Sequence, residues 1–352
     1  MAEKVYKTHR QLLAILRNRG MDIKKGSQGS RVMRILEKEN YYNIVNGYKE
    51  LFLKSPASAT TNETYLPGTT FDEVYALYNF DKEIRTIYLK YLLKIESTIK
   101  TVIAHEFSSK YGHDNYLTTN SFQTAASTDV QELKRIAKKR HFNYATDLSD
   151  IKQASAEENA ANVVKLIGDI HQEIARQMSN HHQVVTHYLT HHGYIPLWVL
   201  VNVLTFGKIA VFYNNMKQVD KTAVAKRFSV SVDELSKYMD MLCIARNKCA
   251  HDERFYNIEF RKRLHTKSIR NFAVLGIERQ SDGSYTYGTN DAYAIAIIFA
   301  TFLSKTELKD FVSAMSSAIM KLQKQLHTIP VSTVLREMGF GTTWTKLTEL
   351  KK

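Results

Sequence analysis

The chain has 352 residues, which is long enough to bury a core without disulfides or a structural metal. Its 49 Lys and Arg outnumber its 35 Asp and Glu, and the net charge of +14 favours a polyanionic partner, either nucleic acid or an acidic membrane surface. Only two cysteines occur and the first residues contain no apolar leader, so we expect a protein of the reducing cytoplasm rather than a secreted one.

The aromatic content and the apolar runs favour RNA over a membrane as the partner. Unpaired RNA bases stack on aromatic side chains, and the chain has 20 Tyr and 16 Phe. The longest apolar run, 194–213, contains Pro196, Asn202 and Lys208. Such a run is typical of buried helix after a turn rather than of a membrane span. We therefore expect an RNA partner and no membrane.

Helix dominates the predicted secondary structure. Only four prolines and 14 glycines interrupt the chain, and the apolar residues recur mostly at spacings of three and four. This pattern predicts an all-α fold. Two short helices, at 10–19 and 30–39, flank a turn-like segment and could form a helix-turn-helix. Residues 71–110 form a long apolar face that predicts one long helix, or two abutting ones, as the structural spine.

A polar segment interrupts the chain at about 121–165. One predicted helix within it carries five basic residues: Lys134, Arg135, Lys138, Lys139 and Arg140. Two interpretations are open, a solvated helical face and a surface that contacts the RNA backbone.

Beyond the polar segment, residues 277–287 predict a small β-hairpin with Asp282 and Gly283 at its turn. The apolar run at 292–303 is too short to span a bilayer and predicts a core helix. We therefore divide the chain into three regions. They are an N-terminal helical region (1–68), a helical core with the polar insertion (69–270), and a C-terminal region (271–352) in which the hairpin and helices pack on the core.

A candidate site lies in the stretch ARNKCAHDERFYN, residues 245–257. Ser231 and Glu234 have the spacing of a capping box, so a helix is predicted to start there and to carry an apolar stripe toward residue 249. On that helix His251 lies five residues after Arg246, rotated by about 140° and displaced by about 7.5 Å. A straight helix would not stack these two side chains, whereas a helix that ends or bends near His251 would bring them closer.

The residue types suit metal-free cleavage of RNA. Histidine, with an ordinary pKa of about 6.5, exchanges protons with a ribose 2′-hydroxyl or a leaving oxygen. Arginine offers fixed charge to a phosphate as negative charge develops, and Asn247 could orient either partner. Residue types and spacing alone favour a structural alternative, in which Arg246 caps helix carbonyls or pairs with a carboxylate and His251 packs at the helix end.

Three residues just beyond the histidine have two open interpretations. Arg254, Tyr256 and Asn257 could touch RNA as a charge, a stacking face and a hydrogen-bond donor. The alternative is packing, with the aromatic residues closing the helix end. Trp198 and Trp344 are expected to be anchors in the core or in a dimer contact rather than base-stacking platforms.

The string RNKCAH matches the signature of the HEPN ribonuclease superfamily, and the longer string resembles the abortive-infection (Abi) phage-resistance proteins of the AbiD and AbiF type. Four further stretches resemble blocks of that family in the same order, so the likeness covers nearly the whole chain. They are YYNIVNGYKELF from Tyr41, FDEVYALYNFDKEIRTIYLKYLLKIESTIKTVIAHEFSSKYG from Phe71, PLWVLVNVLTFGKIAVFY from Pro196 and VLREMGFGTTWTKL from Val334.

The resemblance implies a HEPN-type helical bundle that acts as a metal-independent endoribonuclease in bacterial antiphage defence, with no cofactor. It assigns catalytic positions to Arg246 and His251 and an accompanying polar position to Asn247. It also implies a homodimer that brings two motifs together, and association with a structured noncoding RNA. Two positions depart from the family pattern. Lys100 stands where relatives often carry arginine, and Asn202 stands where an acidic residue is expected.

Other residue groups lead to weaker alternatives. His187 and His191 have the i, i+4 spacing of metal ligands, but no HExxH glutamate accompanies them, so surface histidines are expected. Asp81 and Arg85 are expected to form an ordinary helix-face ion pair. Two alternatives to an enzyme stay open. One is a non-catalytic RNA-binding module or helix-turn-helix regulator on the same scaffold, and the other is a structural adaptor that binds no nucleic acid. Phosphate-cradling glycine loops are absent from the sequence, which argues against nucleotide hydrolysis.

Overall fold

The computed structural model describes residues 5–57 and 61–351. Residues 1–4, part of the stretch without an apolar leader, lie outside this described part. Helices make up nearly all of its secondary structure, and the predicted all-α fold is confirmed. The chain divides into two compact units, Met1–Leu92 with Ile244–Lys352, and Leu93–Cys243. Regions 1–68 and 271–352, separate in the sequence-based division, therefore fall within the same unit.

The first unit starts with the two short helices predicted from the sequence, α1 (His9–Asn18) and α2 (Ser27–Lys38). Thr8 and Gln11 form a capping box at the start of α1. The two helices contact each other, and their buried residues lie on one face of each helix. Amphipathic helices bury such a face because the apolar residues recur with the helical period. Whether the pair binds DNA as a helix-turn-helix stays a prediction.

Short irregular elements follow α2. A π-helical turn (Tyr42–Asn46) and a 3₁₀ turn (Glu50–Phe52) lead into strands β1 (Leu53–Ser55) and β2 (Thr64–Tyr65), which pair antiparallel with Leu53 opposite Tyr65. This small sheet was not predicted, since strands of three and two residues are too short to show an alternating pattern.

Helix α3 (Phe71–Tyr111) is a single helix of 41 residues, as the long apolar face predicted. It runs through the division between the two units. Thr70 and Glu73 form a capping box at its start, with the Thr70 amide donating to the Glu73 carboxylate at 3.2 Å. The same carboxylate accepts hydrogen bonds from the backbone amides of His327 and Thr328, at 2.7 and 2.6 Å. Glu73 therefore joins the start of α3 to the C-terminal part of the same unit.

The C-terminal part of the first unit contains the expected core helix. Helix α11 (Ala292–Phe302) has an unbroken run of buried residues, and the Tyr88 hydroxyl of α3 donates to the Ala292 carbonyl at 2.9 Å. Trp344 is buried near the chain end, as expected of a core anchor. The other elements are 3₁₀ turns Thr266–Ser268, Phe272–Leu275 and Trp344–Leu350, and helices α12 (Lys305–Gln323) and α13 (Val331–Glu337).

The hairpin predicted at 277–287 forms only in part. The chain turns at Asp282 and Gly283, with Gly283 at a φ of 80°, and Arg279 makes a single antiparallel bridge to Tyr285. Strands do not extend from this bridge. The two-stranded sheet of the described residues is the pair β1 and β2 instead.

The second unit is also helical. The helix predicted to carry the basic cluster of the polar segment is present as α4 (Val130–Arg140). It packs on α5 (Leu148–Ser179) through Leu133, Ile136, Ala137, Ile151 and Ala154. The apolar run at 194–213 is divided between two short helices, α7 (Leu197–Leu200) and α8 (Phe206–Asn215). The elements after α3 are 3₁₀ turns Asn115–Leu117 and Thr119–Ser121 and helices α4 (Val130–Arg140), α5 (Leu148–Ser179), α6 (Gln183–His192), α7 (Leu197–Leu200), α8 (Phe206–Asn215), α9 (Gln218–Arg227) and α10 (Val232–Ala250). The residues of α10 from Ile244 onward belong to the first unit.

None of the helices in the described residues has the length and apolarity needed to cross a membrane.

Candidate active site

Helix α10 carries Arg246 and Asn247 in its last turns, and His251 directly follows its last residue, Ala250. It starts at the predicted capping box, in which the Ser231 amide donates to the Glu234 carboxylate at 2.9 Å and the Glu234 amide donates to the Ser231 hydroxyl at 3.2 Å. Near its other end, a guanidinium nitrogen of Arg246 donates to the side-chain oxygen of Asn247 at 3.4 Å. Arg246 is half-buried and Asn247 is exposed.

The helical pattern continues up to the histidine. The amide of His251 donates to the carbonyl of Asn247 at 2.9 Å, which is the i to i−4 bond of a regular α-helix. The helix therefore does not bend between Arg246 and His251, and five residues of regular helix turn the two positions about 140° apart. His251 itself is exposed. Within one chain, the arginine and the histidine start from different faces of α10.

The residue after the histidine terminates the helix. Asp252 has a φ of 58°, in the left-handed region, and the Glu253 amide donates to the Lys248 carbonyl at 3.3 Å. This six-to-one bond is that of a Schellman motif, in which glycine usually takes the left-handed position because a side chain is disfavoured there. The Arg85 guanidinium contacts the Asp252 carboxylate at 2.5 Å. This ion pair offsets part of the backbone cost.

A buried carboxylate fixes the segment that follows. Asp81 of α3 is fully buried and accepts the amides of Phe255 at 3.1 Å and Tyr256 at 2.6 Å and the Tyr48 hydroxyl at 2.7 Å. Arg85 lies 3.3 Å from the same carboxylate. Burial raises the pKa of Asp81, and these donors and the guanidinium act against the rise. The predicted ion pair is confirmed, but sequence reasoning missed that its members hold the end of α10.

The structure separates the three residues proposed to touch RNA. Arg254 is at the surface, where it donates to the Gly47 carbonyl at 2.7 Å. Tyr256 is only 1% exposed, and its ring stacks on Tyr48 at 5.7 Å. It occupies a packing position, and its ring is not available to stack on a base in this structure. Asn257 is half-buried at the edge of a cleft.

This cleft has a volume of about 500 Å³ and belongs to the first unit. It is formed by the π-helical turn, by Lys248 and by the segment after His251, whereas Arg246, Asn247 and His251 are not among its lining residues. The lining residues are Tyr42, Asn43, Asn46, Gly47, Tyr48, Tyr78, Lys248, Asp252, Glu253, Arg254, Asn257, Ile258 and Glu259.

The basic residues of α4 form a separate exposed face in the second unit. All five, Lys134, Arg135, Lys138, Lys139 and Arg140, are exposed. Glu158 of α5 pairs with two of them, Arg135 at 2.8 Å and Lys139 at 3.3 Å, so part of the positive charge is balanced within the unit. A hydrogen bond from Arg135 lowers the pKa of Glu158. Contact of this face with RNA stays a prediction.

The two departures from the family pattern have clear local contacts. Lys100 is buried and pairs with Glu96 at 2.7 Å. Asn202 is exposed, and its amide donates to the carbonyls of Trp198 and Val199 at 3.3 and 3.2 Å. Trp198 is 52% exposed, so it is not a core anchor within this chain.

The histidines of α6 lie close to one another. The ring centroids of His187 and His191 are 4.5 Å apart, and Nδ1 of His191 is hydrogen-bonded to the His187 carbonyl oxygen at 3.0 Å. Over residues 5–57 and 61–351, no group of three or more His, Cys, Asp or Glu side chains is placed to hold a metal ion.

Comparison with known proteins assigns the family. A family model described as "Abi-like protein" matches residues 34–257, which is more than half of the chain and includes the end of α10. The curated proteins and the solved structures gave no match. The Abi resemblance predicted from the sequence is thereby confirmed at the level of the family. The chain belongs to the Abi-like protein family, and this membership indicates a role in abortive-infection defence against phage.

Proposed function

We propose that this Abi-like protein is a metal-independent endoribonuclease of the HEPN superfamily, of the AbiD and AbiF type. The observation that carries the proposal is the end of α10. At this helix terminus, His251 is exposed, and half-buried Arg246 donates a hydrogen bond to Asn247. Contacts from Asp81 and Arg85 fix the backbone of the segment that follows. A site that performs proton transfer needs such fixed geometry, because small misplacements of the reacting groups cost rate.

The chemistry follows from the residue types. His251 takes the proton of a ribose 2′-hydroxyl, whose oxygen forms a bond to the adjacent phosphorus while the bond from phosphorus to the 5′-oxygen breaks. The departing 5′-oxygen takes a proton from water, and the imidazolium of His251 returns its proton to the solvent, which leaves a 2′,3′-cyclic phosphate and a 5′-hydroxyl. The Arg246 guanidinium stabilises the charge of the phosphorane, and Asn247 orients that guanidinium through its 3.4 Å contact.

The helix geometry favours a site shared by two copies. Because α10 stays regular up to His251, the arginine and the histidine of one chain start from different faces. A twofold axis would bring Arg246 of one protomer toward His251 of its partner, and the same contact would repeat across the axis. The working form is then a homodimer in the cytoplasm.

RNA would be held by charge outside the reacting groups. The net charge of +14 attracts a polyanion. Each unit supplies contacts of its own: the exposed basic face of α4 in the second unit, and Arg254 and Asn257 in the first. A structured noncoding RNA is the proposed partner besides the substrate.

Cleavage of end-labelled single-stranded RNA in EDTA tests the chemistry. We expect products with cyclic phosphate ends from the wild type and none from Arg246→Ala or His251→Ala. Arg261→Ala and His192→Ala, which change exposed residues elsewhere, serve as matched controls and should cleave normally. Loss of cleavage on chelation, or cleavage that survives both catalytic substitutions, would contradict the assignment.

Mixing the two inactive variants tests the shared site. A heterodimer of Arg246→Ala and His251→Ala contains one site with both groups intact if the site draws on both chains. Random pairing should then restore about a quarter of the wild-type rate. If both groups act within one chain, the mixture stays inactive.

A second candidate is a non-catalytic RNA-binding module, and Asn202 favours it. The amide of Asn202 donates to two carbonyls, so the expected carboxylate is replaced by a group that cannot act as a base. Salt-dependent RNA binding without cleavage, after co-purified RNA has been removed, would support this candidate over the enzyme.

A further inference from the structure

The π-helical turn Tyr42–Asn46 presents polar and aromatic groups to the cleft. Ile44 and Val45 are fully buried and anchor the turn in the first unit, whereas the side chain of Tyr42 is 66% exposed. Tyr48 and Tyr78, by contrast, pack edge to face at 5.5 Å. Single-turn π-helices are rare and frequently occur at functional sites. The turn therefore leaves an aromatic face open to a ligand.

The cleft also offers side-chain amides suited to reading a base. Asn43 and Asn257 line it from distant parts of the sequence, one on the π-helical turn and one after α10. Each amide carries both a donor and an acceptor, as the edge of an unpaired nucleobase requires. With Tyr42, the cleft combines a stacking surface and hydrogen-bonding groups, the two elements of single-strand recognition.

Two of the three acidic residues of the cleft form ion pairs. Glu253 contacts Lys248 at 2.6 Å, and Asp252 contacts Arg85 at 2.5 Å. Glu259 accepts from the Asn290 amide at 3.1 Å. A basic partner therefore balances the charge of Glu253 and of Asp252, and Glu259 is the acidic lining residue that keeps its negative charge.

The cleft adjoins the proposed reacting histidine. Lys248 lines it and lies three residues before His251 on α10, and residues at this spacing are neighbours on a helix surface. The segment that starts at Asp252 forms another part of its wall. A nucleotide next to a phosphate at His251 thus lies within reach of the cleft.

We propose that this cleft binds one unpaired nucleobase of the substrate RNA beside the cut. Tyr42 stacks on the base, and Asn43 and Asn257 hydrogen-bond to its edge. This inference rests on the proposed ribonuclease function and adds to it a subsite that sets base preference at the cleavage position.

RNA binding by the full chain in the uncut state tests the subsite. The His251→Ala background prevents cleavage, and fluorescence anisotropy with a labelled single-stranded RNA reports affinity. Adding Tyr42→Ala should weaken binding about tenfold, because a stacked base is lost. Tyr42→Phe keeps the ring and should bind normally. Tyr6→Ala, at a tyrosine that is 84% exposed elsewhere, is the matched control.

Sequencing of cut ends then tests base reading. In the active protein, Asn43→Ala and Asn257→Ala should each change the base preferred at the cut. They also provide a second measurement should Tyr42→Ala lower the melting temperature.

The outcomes separate this inference from the ribonuclease proposal. Cleavage with unchanged base preference in both asparagine variants, together with unchanged binding in Tyr42→Ala, would overturn the subsite and leave the ribonuclease intact. Binding that depends on Tyr42 without any cleavage by the wild type would support base binding in the cleft but overturn its place beside a cut, and it would end the ribonuclease proposal. Free nucleoside monophosphates that bind in a Tyr42-dependent way without displacing RNA would also overturn it.

Discussion

Replacing Asp81 by alanine should loosen the segment that follows α10. The carboxylate accepts two backbone amides and the Tyr48 hydroxyl, all buried, and lies beside Arg85. Its removal leaves these donors without their acceptor and leaves a buried guanidinium without one of its two carboxylates. Breaking one side of such a buried pair costs about 3–5 kcal/mol. This is a large part of the roughly 5–15 kcal/mol that stabilises a typical domain.

Tyr48→Phe should lower the free energy of unfolding by only part of this amount. It removes one hydrogen bond to a charged group, for which about 1.5–3 kcal/mol is typical, and leaves both amide bonds in place. In urea unfolding followed by circular dichroism, the free energy of unfolding should therefore be highest for the wild type, lower for Tyr48→Phe and lowest for Asp81→Ala. Because Tyr48 and Asp81 are in contact, the double variant should be less destabilised than the sum of the two single variants.

Hydrogen exchange measured by mass spectrometry locates the change. In Asp81→Ala, a peptide over 253–258 should lose more protection than one over α11 (Ala292–Phe302), which serves as the internal reference. Tyr48→Phe should keep the protection of the 253–258 peptide. Unchanged exchange at 253–258 in Asp81→Ala would refute the reasoning, because the carboxylate would then not be what holds these amides.

Two further outcomes follow from the ionisable groups. Burial alone would raise the pKa of Glu73, but hydrogen bonds from the Thr328 and His327 backbone amides and other donors bring it below its ordinary value. A carboxyl group whose pKa is lowered in the folded state stabilises the folded protein at pH values above its unfolded-state pKa, and this contribution is lost as the pH falls through the folded-state pKa. Glu73→Gln should therefore lower the free energy of unfolding more at pH 7 than at pH 3, as measured by urea titration. Burial raises the pKa of the Cys249 thiol to about 12. Only half-buried Cys243 should therefore react quickly with Ellman's reagent at pH 8. A fast phase of the reaction that persists in Cys243→Ser would contradict this expectation.

Much of the helical framework could be predicted from local patterns. The 71–110 prediction agrees with α3 because a continuous apolar face sustains the helix. The capping box at Ser231 fixed the start of α10, because its two hydrogen bonds involve residues only three apart. The core helix α11 followed from an uninterrupted apolar run. Each of these signals lies within a single element, which is why the sequence alone contained it.

The contacts that organise the candidate site lie far apart in sequence. Asp81 and Tyr256 are separated by 175 residues, and no local pattern pairs them. One signal was present. Asp81 falls four residues after Leu77 and three before Ile84, both on the apolar face of α3. A carboxylate on such a face must find buried donors, so its position indicated a structural role before its partners were known.

The discontinuous first unit sets the order in which a nascent chain can finish the site. Residues Leu93–Cys243 form their own compact unit, and all of them are translated before the end of α10. The hydrogen bond from the Phe255 amide to Asp81 joins residues 174 positions apart, so it forms only after residue 255 has been translated. A prematurely terminated product that stops before residue 255 would lack this bond, and translation would have to pass that point before the His251 terminus could be held in place.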